Sequence, residues 1–381
     1  MKILSILLCV LLLAGCTQSA PETPTTAPTL PAETTPLSTQ PPTTVPEEID
    51  PIASILAEMS TEEKVGQLFL ARCDSNVAAE HAKTYHLGGY VLFARDFEQE
   101  TPDSLRNTLS TYQSAAKIPL LIAVDEEGGT VTRASRYPAF RKTAFPSPRI
   151  CYATGGMTAA LENEAEICTL LSELTINVNL GPVCDITTDP NAFMYSRSLG
   201  QDPSITSEFI AETVKIMAEY QVGSALKHFP GYGNNTDTHT GIAIDNRTLE
   251  ALESCDLLPF AAGIEAGCDA IMVSHTFINA LDTDLPASLS PKVHHYLRRN
   301  MGFEGVIITD DLAMQAITDL YGAGEAAVMA VIAGNDLLCS TDYITQYNAV
   351  LTAVKDNRIN ADTLDNAVRR ILAWKQDLGL I

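Results

Sequence analysis

The sequence predicts an α/β fold, a single (β/α)8 TIM-type barrel preceded by a signal peptide and a disordered Thr/Pro-rich tether. Three observations carry this: eight short apolar, β-branched runs, longer helical patterns between them, and charged residues at the ends of several of those runs. With 381 residues, 46% of them hydrophobic, the chain can bury a large core.

The elements justify themselves in chain order. Residues 1–15 begin with Lys2, continue with an apolar run over 3–13 and reach small residues before Cys16, the layout of a secretory signal too short to span a bilayer. Leu13-Ala14-Gly15-Cys16 is similar to the bacterial lipobox, in which cleavage exposes the cysteine as a lipid-bearing N-terminus. The placement favours lipidation of Cys16 over an incidental cysteine. Residues 16–48 form the linker, dominated by Thr, Pro, Ala, Ser and Glu, a composition that cannot offset the entropy of ordering and reads as a tether. Residues 49–381 are expected to be one catalytic barrel.

Within that barrel the eight strand-like runs end at Arg72, Ala94, Val124, Val183, Phe229, His275, Asp310 and Ser340. Helical patterns are expected over 102–116, 157–174, 203–220, 248–266, 290–300 and 313–333, with a closing amphipathic helix over 361–381 that carries Trp374 as a core residue. An open doubly wound sheet is the alternative, but no Gly-rich dinucleotide loop follows the first strand.

The formal charge of −23 makes nucleic acid an improbable partner, and the scattered Lys and Arg residues describe a solvated acidic surface. Seven cysteines remain once Cys9 is cleaved off and Cys16 lipidated: Cys73, Cys151, Cys168, Cys184, Cys255, Cys268 and Cys339. No C-x-x-C occurs, no disulfide pair is identified, and Cys184 and Cys339 read as small buried hydrophobes.

In such a barrel chemistry sits at the C-terminal ends of the strands. There the sequence places Asp125, Glu126 and Glu127, then Lys227 and His228, then His275, then Asp310 and Asp311. Charged groups at one mouth are costly unless they serve a ligand or one another. Asp310, at the end of GVIITD, suits a nucleophile at an anomeric carbon, although the position alone serves a helix N-cap equally well. Asp311 points elsewhere and reads as structural.

The stretch KHFPGYGNNTDTH, 227–239, admits a metal site, a phosphate cradle or an acid/base loop. Asp237 and His239 are two residues apart, so an extended loop puts them on one side, where the carboxylate can orient the imidazole and favour its proton. Metal is disfavoured by the wide spacing of His228, Asp237 and His239 and by the Lys227 ammonium, and no cofactor is called for.

Together KHFPGYGNNTDTH, VDEEGGTVTR (124–133), INVNLGPVCDI, YSRSLG and VIITDDLAM resemble glycoside hydrolase family 3, in particular its β-N-acetylhexosaminidases, over residues 59–380. The resemblance implies Asp310 as nucleophile, His239 as acid/base and Asp237 as its partner. It implies Asp125, Arg133, Arg197, Lys227 and His228 as contacts to an N-acetylglucosamine ring. Glu126, Thr130 and Tyr232 depart from the family's common glutamine, arginine and histidine, and the loop is one residue short. The implied activity is a retaining β-N-acetylglucosaminidase without cofactor, a monomer lipid-anchored outside the bacterial cell and acting on peptidoglycan fragments. A family 3 β-glucosidase or β-xylosidase, or a non-catalytic sugar-binding lipoprotein, are the alternatives.

Overall fold

In the computed structural model of the chain, eight parallel strands form one sheet: β1 Phe69–Arg72, β2 Gly89–Leu92, β3 Leu121–Val124, β4 Val178–Asn179, β5 Gly223–Phe229, β6 Ala270–Val273, β7 Val306–Thr309 and β8 Leu338–Ser340. The structure describes residues 50–235, 237–238 and 241–381. The signal peptide, Cys16 and the whole of the tether therefore lie outside the described residues, as does His239. The strands pair in sequence order, and β8 pairs with β1 through Phe69–Leu338 to Ala71–Ser340. A parallel bridge between Ile308 and Leu337 joins β7 to β8 and brings the sheet round into the expected barrel.

Local chemistry explains where the helices begin. Thr101, Ser147, Asp202 and Ser290 each precede a proline at the first helical position and accept a hydrogen bond from a backbone N–H of the first turn. The helices Pro102–Ala115 and Pro203–Glu219 match the predicted segments closely. Three expectations need correction. The helix predicted from 157 starts at Pro148 and passes through non-helical Gly155 and Gly156. The segment 248–266 is two helices, Leu249–Glu253 and Leu257–Glu265, and 313–333 breaks into Gln315–Thr318 and Ala323–Ala333.

The strands are buried on both faces, which is why they read as continuous apolar runs. Each buried Leu, Ile or Phe contributes roughly 1.5–3 kcal/mol relative to exposure. The closing helix Ala361–Asp377 buries Leu364, Val368, Ile371, Leu372 and Trp374, and Trp374 packs against the backbone of Gly223 at the start of β5. No helix among the described residues is long and apolar enough to cross a membrane. The seven cysteines 73, 151, 168, 184, 255, 268 and 339 are free thiols, and all but the half-buried Cys255 are buried.

Candidate active site

Lys227 and His228 are adjacent in β5, so a regular strand would point only one of them inward. The pairing of β5 with β6 shifts register between Leu226 and Phe229, and both residues line one cavity. That cavity, about 630 Å³, opens at the C-terminal ends of the strands and gathers Asp125, Arg133, Arg197, Lys227, His228 and Asp310 from four different segments. All six were selected from the sequence.

Their charges are compensated internally. Lys227 Nζ donates to Asp125 Oδ1 at 2.6 Å and lies 2.6 Å from Glu127 Oε1. Arg197 donates through Nε and Nη2 to the two oxygens of Glu127, at 2.8 and 2.7 Å, a fork that fixes the guanidinium plane. Burial alone would raise the Glu127 carboxyl, but Arg197 and Lys227 outweigh it and hold the group well below the usual carboxylate range. Burial likewise works against the Lys227 ammonium, and Asp125 and Glu127 overcome it, so the cation is kept. Arg133 makes a longer 3.4 Å contact to Asp125 Oδ2.

His228 is oriented from behind by Asp185, a buried carboxylate that the sequence reading did not single out. Asp185 Oδ2 accepts from His228 N at 3.1 Å and from Nδ1 at 2.8 Å, while Oδ1 accepts from Tyr232 N at 2.7 Å. A carboxylate can only accept, so Nδ1 carries the proton and Nε2 offers its lone pair, which Arg197 Nη2 meets at 3.3 Å.

Tyr232 is buried, with its ring edge-on to both Phe193 and His228. Its hydroxyl pairs with Thr238 Oγ1, and Thr238 O accepts from Ala316 N at 3.3 Å. The loop after β5 is thereby pinned to the segment after Asp310, with half-buried Asp237 beside the pinned residue. His239 lies outside the described residues.

Asp310 follows β7, its N–H donates to Val273 O at 3.0 Å, and its Oδ1 accepts from Asp311 N at 2.9 Å. Asp311, expected to point elsewhere, also lines the cavity, but its carboxylate has the expected structural part: it accepts from Ala313 N at 2.9 Å and from Thr341 N at 3.1 Å. His275, fully buried, does not line the cavity; it braces the same segment through Asp311 O at 3.0 Å and Ser288 Oγ at 2.7 Å. Glu126 also stays out of the cavity, accepting from the N–H groups of Arg133 and Ala134 at 2.9 and 2.8 Å and thus shaping the turn that presents Arg133. Cys339, read as a buried hydrophobe, is buried but lines the cavity floor.

The pattern described as the glycosyl hydrolase family 3 N-terminal domain matches residues 60–374. The chain belongs to glycoside hydrolase family 3. Beta-hexosaminidase A of Pseudoalteromonas piscicida is 32% identical over 79% of this chain and 55% of its own length, so the chain spans about half of that relative. Beta-hexosaminidase of Stenotrophomonas maltophilia is 32% identical over 76% of this chain and 86% of its own. A solved family 3 β-N-acetylglucosaminidase from Paenibacillus superposes with a TM-score of 0.80 at 34% identity, covering 84% of this chain and 63% of that one. The family 3 barrel thus accounts for the clustering of the six residues. Glu127 and Asp185 hold that cluster in place without themselves lining the cavity.

Proposed function

We propose that the protein is a retaining exo-β-N-acetylglucosaminidase, with Asp310 as nucleophile and His239, oriented by Asp237, as acid/base. The observation that carries the reading is the convergence of Asp310 with Asp125, Arg133, Arg197, Lys227 and His228 in one cavity, at the strand ends where barrel chemistry occurs. Membership of the family and relatives named beta-hexosaminidase support the activity and the N-acetylhexosamine substrate class.

The mechanism runs in two halves. The Asp310 carboxylate bonds to the anomeric carbon as the bond to the leaving oxygen breaks and His239 gives that oxygen its proton. His239 then takes a proton from water, the water oxygen bonds to the anomeric carbon, and Asp310 leaves, restoring the original configuration. Lys227, Arg197 and Arg133 supply donors to sugar oxygens, and Asp125 and the Nε2 lone pair of His228 supply acceptors.

We extend the proposal to a lipid-anchored enzyme outside the cell that trims peptidoglycan fragments, resting on Leu13-Ala14-Gly15-Cys16 and the Thr/Pro-rich stretch. One preparation of the full chain tests both parts. Asp310→Ala is expected to lower turnover of an aryl N-acetylglucosaminide by at least about a thousandfold, and NMR of the first product should show the β anomer. Cys16→Ser should move the activity from the membrane to the soluble fraction. Normal turnover in Asp310→Ala or an inverted product would end the mechanistic reading, and unchanged membrane association would end the anchoring one.

A further inference from the structure

One wall of the cavity holds Arg72, a donor outside the sugar-binding cluster, beside Arg133, a member of it. Arg72, the last residue of β1, lines the cavity with its guanidinium carbon 4.3 Å from the centroid of the Phe93 ring. The guanidinium of Arg133 lies 5.6 Å from the same centroid. In both arginines Nε is buried and has no hydrogen-bond partner among the described residues. Lys227 and Arg197 are matched by Asp125 and Glu127, and Arg133 has its long contact to Asp125. Among the described residues no carboxylate lies within ion-pair distance of Arg72; Asp96 feels its charge only at longer range.

We propose that this wall is an anion-reading subsite, and that the saccharide taken by the cavity carries a negatively charged oxyacid group selected by Arg72. The inference rests on the β-N-acetylglucosaminidase reading and deepens its substrate class. A guanidinium stays charged at every relevant pH and offers a planar fork of donors that fits two oxygens of a carboxylate or sulfate, whereas a sugar hydroxyl fits only one. The Phe93 ring lies against both arginines and holds the Arg72 guanidinium at the cavity wall without using its hydrogen-bond donors. The carboxylates of Asp310 and Asp311 line the β7 side of the cavity, so they direct a negative group toward Arg72 and away from the reacting carbon.

Two matched pairs of substrates test this. The first is 4-nitrophenyl N-acetyl-β-glucosaminide with and without sulfate on O6, which puts the charge on the released sugar. The second is N-acetylglucosamine β-linked to glucuronic acid or to glucose, which puts it on the leaving sugar. In at least one pair the charged member should have the higher kcat/KM, and its preference should shrink with added salt. That preference should fall about tenfold or more in Arg72→Gln and by less in Arg72→Lys, which keeps the charge and loses the fork. The pair that responds identifies which sugar faces Arg72. The same ratios of Kd, measured on Asp310→Ala, read charge preference without turnover. Absence of any turnover therefore overturns the proposed activity, whereas equal charge preference in wild type and Arg72→Gln, or a preference for neutral substrates in both pairs, overturns the subsite. Circular dichroism of Arg72→Gln and the partial response of Arg72→Lys separate selection from misfolding.

Discussion

Asp185 decides which nitrogen of His228 faces the cavity. Its two oxygens accept three donors from His228 and Tyr232, an arrangement that an asparagine cannot reproduce. With its carbonyl toward His228, the Asn amide would oppose Tyr232 N–H; turned round, it would oppose His228 N–H and force the ring proton onto Nε2 against Arg197. Asp185→Asn is therefore expected to lower kcat/KM for an aryl N-acetylglucosaminide by about 10–100-fold, and wild-type kinetics in a folded variant would contradict the role. Asp125, Lys227, His228 and Asp310 were legible because each stands at or just beyond a strand end, whereas Arg133 and Arg197, far along their loops, came only with the family resemblance. Asp185 and Arg72 stand at such ends too and were passed over. Arg72 closes the first apolar run. Asp185 lies two residues past Val183, where Pro182 interrupts the ladder and the chain resumes against β5 through a Val183–Lys227 bridge. Nothing in a one-dimensional apolar pattern reveals that second pairing.

At the scale of elements, the loop that carries Asp237 stands on a clamp. Arg247 donates to Asp245 at 2.9 and 2.7 Å and to Asp256 at 2.6 and 3.1 Å, and both carboxylates are buried. The loop backbone presses on this clamp at two glycines with positive φ: a Cβ on Gly231 would meet Asp256 at 2.7 Å, and one on Gly233 would meet Arg247 at 2.6 Å. The clamp also explains why the helix predicted over 248–266 is broken, since Asp256 sits in the break between Leu249–Glu253 and Leu257–Glu265. Arg247→Ala leaves two buried carboxylates without their cation and should cost about 3 kcal/mol at neutral pH. Burial already raises the Asp256 carboxyl despite Arg247, so in the variant this acid binds a proton more readily folded than unfolded. The variant's deficit should then shrink as pH falls. Denaturant unfolding at pH 7 and pH 5 reads this, together with reduced turnover from a loop that has lost its footing. A deficit that is absent, or that grows on acidification, would refute the clamp.

At the scale of the whole molecule the barrel was legible because each strand, buried on both faces, is written as an apolar run. Eight such units implied the closure that the pairing of β8 with β1 and the Ile308–Leu337 bridge complete, but not the register in which the ends meet. Nor could the sequence show which charges the barrel would bury, and two of these set opposite pH dependences. Glu164, in the helix Pro148–Glu173, is pushed up to about 8 by burial and then by the negative charge of Glu127. Between its unfolded value and about 8 the folded state holds a proton that the unfolded state has released, so this residue lowers stability progressively as pH rises through that window. Lys375, in the closing helix, donates to Gln67 Oε1 at 2.7 Å, and burial brings its ammonium down to about 7. Between about 7 and its unfolded value near 10.5 the unfolded state holds the extra proton, so here stability rises with pH, and the cost is full below pH 7. Glu164→Gln should therefore stabilise the protein by an amount that grows from pH 5 to pH 8 at up to about 1.4 kcal/mol per pH unit and then levels off. Lys375→Met should stabilise it fully at pH 5 to 7 and by a declining amount from pH 7 to pH 9. Urea unfolding of wild type and both variants at pH 5.5, 7 and 8.5 reads the two differences directly, because every other titrating group cancels in the comparison. Offsets independent of pH would mean that neither residue titrates as its burial requires, and converging slopes of the same sign would leave only one of them charged in the fold.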